Sequence, residues 1–201
     1  MFNHFKPYFK NFSILVLFAG IILFTSCDDN YYPKPIGYFR IQLPQKKYKT
    51  LDSIYPYTFE YPVYAKISPD SSNLKETTWI NIDFPQFKGT LHLSYKSVHK
   101  NLSQYLDDSR MFVNKHIPKA NDIENKVFIN ESEKVYGATY EIKGNAAASP
   151  FQFFVTDSTH HFVRGSLYFN VQPNNDSLAP VIDFIQKDII HLINTFKWKE
   201  K

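Results

Sequence analysis

The chain has 201 residues, of which 43% are hydrophobic and 17% aromatic, a length that suits one folded domain with a substantial core. With 21% charged residues and many aromatic ones, most of the chain falls outside the disordered class. The formal net charge is only +4, and the three arginines, Arg40, Arg110 and Arg164, lie far apart, which argues against a nucleic-acid-binding protein.

The N-terminal residues have the layout of a secretory signal peptide. Lys6 and Lys10 precede an unbroken apolar run over residues 14–24, and no acidic residue lies before position 28. As a helix this run would rise about 16 Å, against a hydrocarbon layer of about 30 Å, so a transmembrane span is disfavoured. We therefore predict a signal peptide over residues 1–26, whose removal lowers the net charge from +4 to +2.

Small residues lead up to Cys27, the only cysteine in the chain. Thr25 and Ser26 directly precede it, so the segment resembles the lipobox of bacterial lipoproteins, with Phe24 where the usual box has leucine. The alternatives are a buried free thiol and an uncleaved anchor helix. We predict that Cys27 is the lipidation site and that its acyl chains anchor the protein in the cell envelope. We expect the domain to face the periplasm, and we favour the outer membrane over the inner membrane.

A proline-rich arm follows Cys27. Residues 27–37 are predicted to form the lipidated tether and this arm, because prolines at alternate positions favour extended polyproline geometry. Gly37 permits a turn, after which residues 38–43 are expected to form a first strand. The single folded domain is predicted to span residues 38–201.

Short runs of alternating hydrophobic and polar residues begin after position 54. Such runs, rich in Tyr, Phe, Val and Ile, are typical of half-buried strands, and the break at Asp157-Ser158-Thr159 predicts a hairpin. The predicted strands span residues 57–64, 79–84, 90–98, 123–129, 135–142, 151–155 and 162–171. The sheet is therefore expected to be mainly antiparallel.

Two segments have helical spacing instead. One runs from about 178 to 196, with Asp176 or Ser177 as its N-cap, Pro180 in its first turn, and Lys197 and Lys199 beyond its negative end. Its apolar stripe needs a sheet to cover. It consists of Leu178, Ile182, Ile185, Ile189, Leu192, Ile193 and Phe196.

The other helix is predicted from about 101 to 116, ending before Pro118. Gln104 is placed to reach back to Asn101 in a capping-box arrangement. The expected fold class is α+β: a single domain with a mainly antiparallel β-sheet and both helices packed on one face.

The residues show no catalytic or metal-binding motif. His160 and His161 would point to opposite faces of a strand, and Asp107 and Asp108 would form a solvated helix face. The sequence has no HExxH, no GxSxG elbow and no phosphate-binding glycine loop. We therefore predict no catalytic residues, no metal and no cofactor.

The many aromatic residues have two interpretations. Most are expected to fill the core, but Tyr55, Tyr57, Tyr61 and Tyr64 lie beside prolines that mark edge strands, where tyrosine suits a protein interface. Exposed tyrosines and the two tryptophans, Trp79 and Trp198, are alternatively stacking platforms for a ligand.

Four features of the chain bear on its family: the proline-rich arm, the acidic pair Asp28-Asp29, the aromatic strands and the ending Phe196-Lys197-Trp198. In these four features the chain resembles the GldD family of gliding-motility lipoproteins of the Bacteroidetes. The resemblance implies a non-catalytic envelope component of the gliding machinery and the associated type 9 secretion system. Its partners would be other envelope proteins of that machinery. The candidate contact residues are Tyr31, Tyr32, Pro33, Lys34, Pro35, Gly37, Tyr38 and Arg40.

Two other functions stay open on the residues alone. One is an envelope module that binds glycans or peptides through exposed aromatic side chains. The other is an envelope hydrolase whose site is assembled from distant strands.

Overall fold

The computed structural model describes residues 41–51, 54–70 and 77–199. The strands, in chain order, are β1 (Tyr48–Thr50), β2 (Tyr57–Thr58), β3 (Glu60–Pro62), β4 (Lys66–Pro69), β5 (Ile80–Phe84), β6 (Gly89–Ser97), β7 (Asp122–Asn130), β8 (Val135–Lys143), β9 (Phe151–Thr156), β10 (His161–Phe169) and β11 (Lys197–Trp198). The helices are α1 (Leu102–Asn114) and α2 (Asn175–Asn194), with 3₁₀ turns at Pro85–Phe87 and Ile117–Lys119. The predicted α+β class, with a mainly antiparallel sheet and two helices, is confirmed.

Seven strands form the central sheet, in the order β4-β5-β6-β10-β9-β8-β7. Every neighbouring pair is antiparallel. Two small sheets, β1-β3 and β2-β11, lie outside it. Since side chains alternate between faces along a strand, each face of the large sheet carries one half of the alternating pattern.

The main core lies between one face of the sheet and α2. Leu91, Val163 and Leu167 are fully buried on that face, and Ile185 and Ile189 of α2 are buried against them in the same cluster. The predicted apolar stripe of this helix is thus confirmed as the element that closes the core. Its buried members are Ile182, Ile185, Ile189, Leu192, Ile193 and Phe196.

Helix α1 packs on the opposite face, so the expectation that both helices share one face is wrong. The ring of Tyr105 lies 5.5 Å from that of Phe162, and the guanidinium of Arg164 lies 4.5 Å from the ring of Phe112. Phe162 and Arg164 flank Val163, which points into the core under α2. The alternation along β10 therefore places the two helices on different sides.

The ends of α2 differ from the predicted ones. The helix begins at Asn175, three residues early, and its cap is Asn174, whose side-chain oxygen accepts from the N–H of Ser177 at 3.3 Å. Pro180 therefore lies inside the helix, beyond its first turn. At the other end Lys197 belongs to β11, and its Nζ donates to Glu133 Oε1 at 2.9 Å instead of approaching the end of α2.

The predicted capping box of α1 does not form. Asn101 precedes the helix without a side-chain capping bond, because its Oδ1 accepts from the N–H of His99 at 2.8 Å. The helix ends at Asn114, and the 3₁₀ turn Ile117–Lys119 follows because Pro118 cannot continue an α-helix ladder.

Two predicted strands near the start of the domain are also different. Residues 41–43 of the expected strand 38–43 are not in a strand, since Pro44 restricts Leu43 and offers no N–H. The predicted strand 57–64 is split into β2 and β3, because β2 pairs with β11 whereas β3 pairs with β1.

The hairpin predicted at Asp157-Ser158-Thr159 joins β9 and β10. Oδ1 of Asp157 accepts from the backbone N–H groups of Thr159, His160 and His161 at 2.7–3.0 Å. Burial opposes ionisation of this carboxyl, but these hydrogen bonds outweigh it and lower the pKa of Asp157. Ser158 adopts the left-handed conformation that the tight turn requires, at φ 69°.

Gly137 on β8 is required by close packing. A Cβ at this position would lie 2.0 Å from the carbonyl oxygen of Phe154 and 2.4 Å from Cζ of Phe128. At Gly89 the nearest atom would be 3.1 Å away, on the half-buried ring of Phe169. The carbonyl oxygen near Gly137 belongs to the β8–β9 ladder and can shift very little, whereas the side-chain ring near Gly89 can move to accept a methyl group.

We therefore expect Gly137→Ala to lower the free energy of unfolding by about 3 kcal/mol, at the upper end of overpacking effects. Gly89→Ala is the matched control and is expected to change the free energy of unfolding by less than about 1 kcal/mol. Urea unfolding followed by circular dichroism measures both. Equal losses in the two variants would contradict the close approach at Gly137.

Candidate functional site

A groove lies between α1 and the edge strand β7, on the face of the sheet opposite α2. Its volume is about 740 Å³, and its walls are mainly apolar side chains from α1, the following 3₁₀ turn and three strands. We call it the α1–β7 groove. Its apolar lining includes Val113, Ile117, Ile123, Val127, Ala138 and Phe154.

Strand β7 forms one edge of the seven-stranded sheet and pairs only with β8 among the described residues. It is nine residues long and contains no proline, and its side chains Val127 and Ile129 are 74% and 65% exposed. The opposite edge, β4, is only four residues long and includes Lys66 and Pro69. Short length, lysine and proline are the usual means of preventing edge pairing. Strand β4 has all three, whereas β7 carries one lysine, Lys126, but is long and contains no proline, so β7 is the more open edge.

A polar row crosses the whole sheet on the same face as the groove. Directly paired positions on the seven strands carry Ser68, Asn81, His92, Ser166, Gln152, Tyr140 and Asn125. Nδ1 of His92 and Oδ1 of Asn81 lie 2.7 Å apart, which joins two members of the row. Tyr140 and Asn125 line the groove, so the row ends at its floor.

Arg164 lies beside the centre of this row. Its Nη2 donates to Oε1 of Gln152 at 2.5 Å and its Nη1 to Oγ of Ser166 at 3.4 Å. Burial lowers the pKa of Arg164. Burial also lowers the pKa of His116, and the charge of Arg164 lowers it further. The side-chain and ring contacts of this arginine within the described part of the chain include no carboxylate.

A second polar cluster surrounds Asp188 on the other side of the molecule. This carboxylate is 1% exposed, and its Oδ1 accepts from Nζ of Lys46 at 2.6 Å and from the hydroxyl of Tyr48 at 2.9 Å. The hydroxyl of Tyr64 donates to its Oδ2. Nζ of Lys46 also donates to the carbonyl oxygen of Phe184 at 2.7 Å. The cluster fastens the segment 46–48 to α2.

The tyrosines of this cluster are held in their neutral form. Burial, followed by the hydrogen bond to Asp188, raises the pKa of Tyr48 to about 12. The same causes in the same order raise the pKa of Tyr64 well above its usual range. Both hydroxyls are therefore hydrogen-bond donors at physiological pH, which is what an ionised buried carboxylate needs.

The predicted lipidation and contact residues, Cys27 and residues 31–40, lie outside the described residues. The two histidines singled out in the sequence stay close, with ring centres 6.2 Å apart. His160 precedes β10 and is exposed, so the two do not point to opposite faces of one strand as expected, and His161 stacks on Trp198 with ring centres 5.0 Å apart. Asp107 is exposed on α1 and pairs with Arg110 at 3.4 Å.

The aromatic side chains mostly serve the core. Tyr57 is fully buried, and Tyr55, Tyr61 and Tyr64 pack partly buried against the same cluster. Both tryptophans are half-buried and have their indole N–H groups occupied: Trp79 donates to the carbonyl of Tyr95 at 2.8 Å and Trp198 to that of Lys134 at 3.0 Å. Their ring faces, expected as stacking platforms, are also partly used, because Nζ of Lys96 lies over Trp79 at 4.7 Å and His161 stacks on Trp198.

Within residues 41–51, 54–70 and 77–199, no three His, Cys, Asp or Glu side chains converge as a metal site would require. Neither α-helix of that part combines the length and the apolar character that crossing a bilayer demands.

Neither polar cluster was predicted from the sequence, although each leaves a signal there. Gln152 interrupts an apolar strand between Phe151 and Phe153, and Arg164 and Ser166 alternate with buried residues on the next strand. Asp188 occupies a position on the buried side of α2, between Ile185 and Leu192. A polar residue in the middle of an apolar pattern is the common sign, because burying it requires partners.

Comparison with known proteins identifies the family. The chain is similar to the solution structure of cyanobacterial PsbP (CyanoP) from Synechocystis sp. PCC 6803, with 10% sequence identity and a TM-score of 0.45, over 80% of this chain and 97% of that chain. No curated protein matches the chain. The family described as gliding motility lipoprotein GldD matches residues 28–198, a range that starts directly after Cys27 and takes in both helices and every strand of the described residues. The chain therefore belongs to the gliding motility lipoprotein GldD family.

Proposed function

We propose that this lipoprotein is a non-catalytic component of the gliding machinery and the associated type 9 secretion system, and that it works by binding a partner envelope protein. The observation that carries the proposal is the open edge of β7 beside the α1–β7 groove. The occupant we propose is an extended segment of the partner, which adds a strand to the sheet.

Strand addition uses two kinds of contact that β7 offers. The free edge supplies main-chain N–H and C=O groups for a new antiparallel or parallel ladder. The groove supplies apolar surface for alternate side chains of the added strand, with Val127 exposed at its rim. Among exposed large apolar side chains, Val127 and Ile129 are two apart on one strand and so share one face.

Membership of a lipoprotein family and the lipobox before residue 28 support anchoring through acylated Cys27. We place the domain on the periplasmic side, at the outer membrane. The proline-rich arm then separates the anchor from the domain, and its residues 31–40 are a second candidate contact with the partner.

The test replaces the native copy in the producing bacterium with a Val127→Lys variant. A lysine at the groove rim would place a charge where we propose that apolar partner side chains bury, so colony spreading and secretion are expected to fall severely. Because Val127 is exposed, the free energy of unfolding should change by no more than about 0.5 kcal/mol.

Val63→Lys is the matched control. Val63 is also an exposed valine, at 46%, but it lies next to β3 and away from the groove. This variant is expected to spread and secrete normally. Photocrosslinkers at the same two positions should capture a partner from position 127 and none from position 63. Normal spreading and secretion by the Val127→Lys strain would refute the groove as the partner site.

A further inference from the structure

Two buried polar groups between α1 and the sheet have no hydrogen-bond partner among the described residues. They are Nε2 of Gln152 and Oγ of Ser109, on side chains of residues only 1% and 3% exposed. Leaving such a group unpaired costs about 1–3 kcal/mol, so native proteins normally pair it with another group, water or a ligand. Nε2 of Gln152 is a hydrogen-bond donor, so its missing partner must be an acceptor.

The neighbouring guanidinium of Arg164 also lacks a strong hydrogen-bond acceptor within the described part of the chain. Arg164 has five N–H donors, and its two described side-chain hydrogen bonds go to the neutral oxygens of Gln152 and Ser166. The ring of Phe112 covers it at 4.5 Å. A half-buried guanidinium is ordinarily matched by a carboxylate or phosphate, which it binds through two parallel hydrogen bonds.

The adjacent strands supply no negative charge to these donors. His116 is close enough for the charge of Arg164 to lower its pKa, in addition to the effect of burial. Next to Arg164 and Gln152 in the sheet register stand Phe154, Tyr140, Ser94 and Ser166, none of which carries a negative charge at neutral pH. The donors therefore lack an anionic acceptor from the adjacent strands.

We propose that Arg164, Gln152 and Ser166 form a binding site for an oxyanion, a carboxylate or a phosphate group, between α1 and the sheet. The guanidinium supplies the charge and two of the donors, the amide of Gln152 supplies a third, and the hydroxyl of Ser166 a fourth. Phe154 and Tyr140, the cross-strand neighbours of Arg164 and Gln152, line the α1–β7 groove, so the site adjoins its inner wall.

This site does not depend on the proposed partner strand. A free small anion should bind to the purified mature protein, and the groove variant Val127→Lys should bind it as well as the wild type. Failure of either proposal therefore leaves the other standing.

The experiment titrates acetate and, separately, inorganic phosphate into the protein at constant ionic strength, with chloride as the reference. Two-dimensional NMR follows the side-chain amide of Gln152 and the imidazole of His116. We expect saturable shifts of the Gln152 amide with at least one of the two anions. We also expect the pKa of His116 to rise on binding, because the anion offsets the charge of Arg164. Whichever of acetate and phosphate binds more tightly identifies the oxyanion.

Three variants test the assignment. Arg164→Gln is expected to weaken binding at least tenfold, whereas Lys197→Gln, which removes an exposed cation of β11 that does not line the groove, should leave it unchanged. Gln152→Glu places a carboxylate beside Arg164 and should prevent anion binding while the protein stays folded. This last variant keeps the test decisive if Arg164→Gln does not fold.

The inference is overturned if neither acetate nor phosphate shifts these signals beyond the effect of chloride. Binding that persists at wild-type strength in Gln152→Glu would equally overturn it.

Discussion

Asp188→Asn is expected to lower the free energy of unfolding by about 3 kcal/mol, at the lower end of the range for breaking a buried ion pair. The asparagine has the size of the aspartate but no charge, so Lys46 loses its counter-ion and the hydroxyls of Tyr48 and Tyr64 lose a strong acceptor. The lower end applies because Lys46 keeps a 29% exposed side chain and can be partly hydrated.

Urea unfolding of the purified protein at neutral pH measures this loss. Asp183→Asn is the control, because Asp183 is an exposed carboxylate on the same helix, and the expected change is within about 0.5 kcal/mol. A loss below about 1 kcal/mol for Asp188→Asn would show that the cluster contributes little to holding segment 46–48 on α2.

The second large effect is expected at the anchor. Cys27→Ala removes the thiol that accepts the acyl chains, so incorporation of labelled palmitate should fall to background and colony spreading should be lost. Each chain stabilises attachment by about 0.8 kcal/mol per buried CH₂, and Cys27 is the only cysteine of the sequence, so no other thiol can carry it.

Phe24→Leu is the control variant for Cys27→Ala, because it changes the lipobox but keeps the cysteine. It restores the residue usual three places before the cysteine, so palmitate incorporation should equal or exceed that of the wild type. Wild-type spreading by Cys27→Ala cells, or palmitate label retained in that variant, would refute anchoring through Cys27.

Much of the fold could be predicted from local patterns. The period-two runs correspond to strands β5 to β10, and the apolar stripe of α2 fills the core. Where prediction was wrong, a competing local bond or a distant partner decided the outcome. Asn174 rather than Asp176 caps α2, and β2 and β3 separate because their partners, β11 and β1, lie far apart in the sequence.

The candidate sites were much harder to predict. The three residues of the proposed anion site, Arg164, Gln152 and Ser166, come from two strands. The groove requires α1 to lie beside β7, which no spacing in the sequence specifies. Lys46 and Asp188 are 142 positions apart, so their ion pair has no local signature.

By itself, the sequence determined the properties that depend on neighbouring residues. These are the strands and helices with their buried faces, the family, and the residue pattern from which a signal peptide and a lipobox are predicted. Only the tertiary structure decided which faces the helices cover, which sheet edge stays open, and which polar side chains meet in the interior. The physical reason is that periodicity specifies how a segment divides its own faces, whereas pairing and burial depend on segments that are distant in the chain.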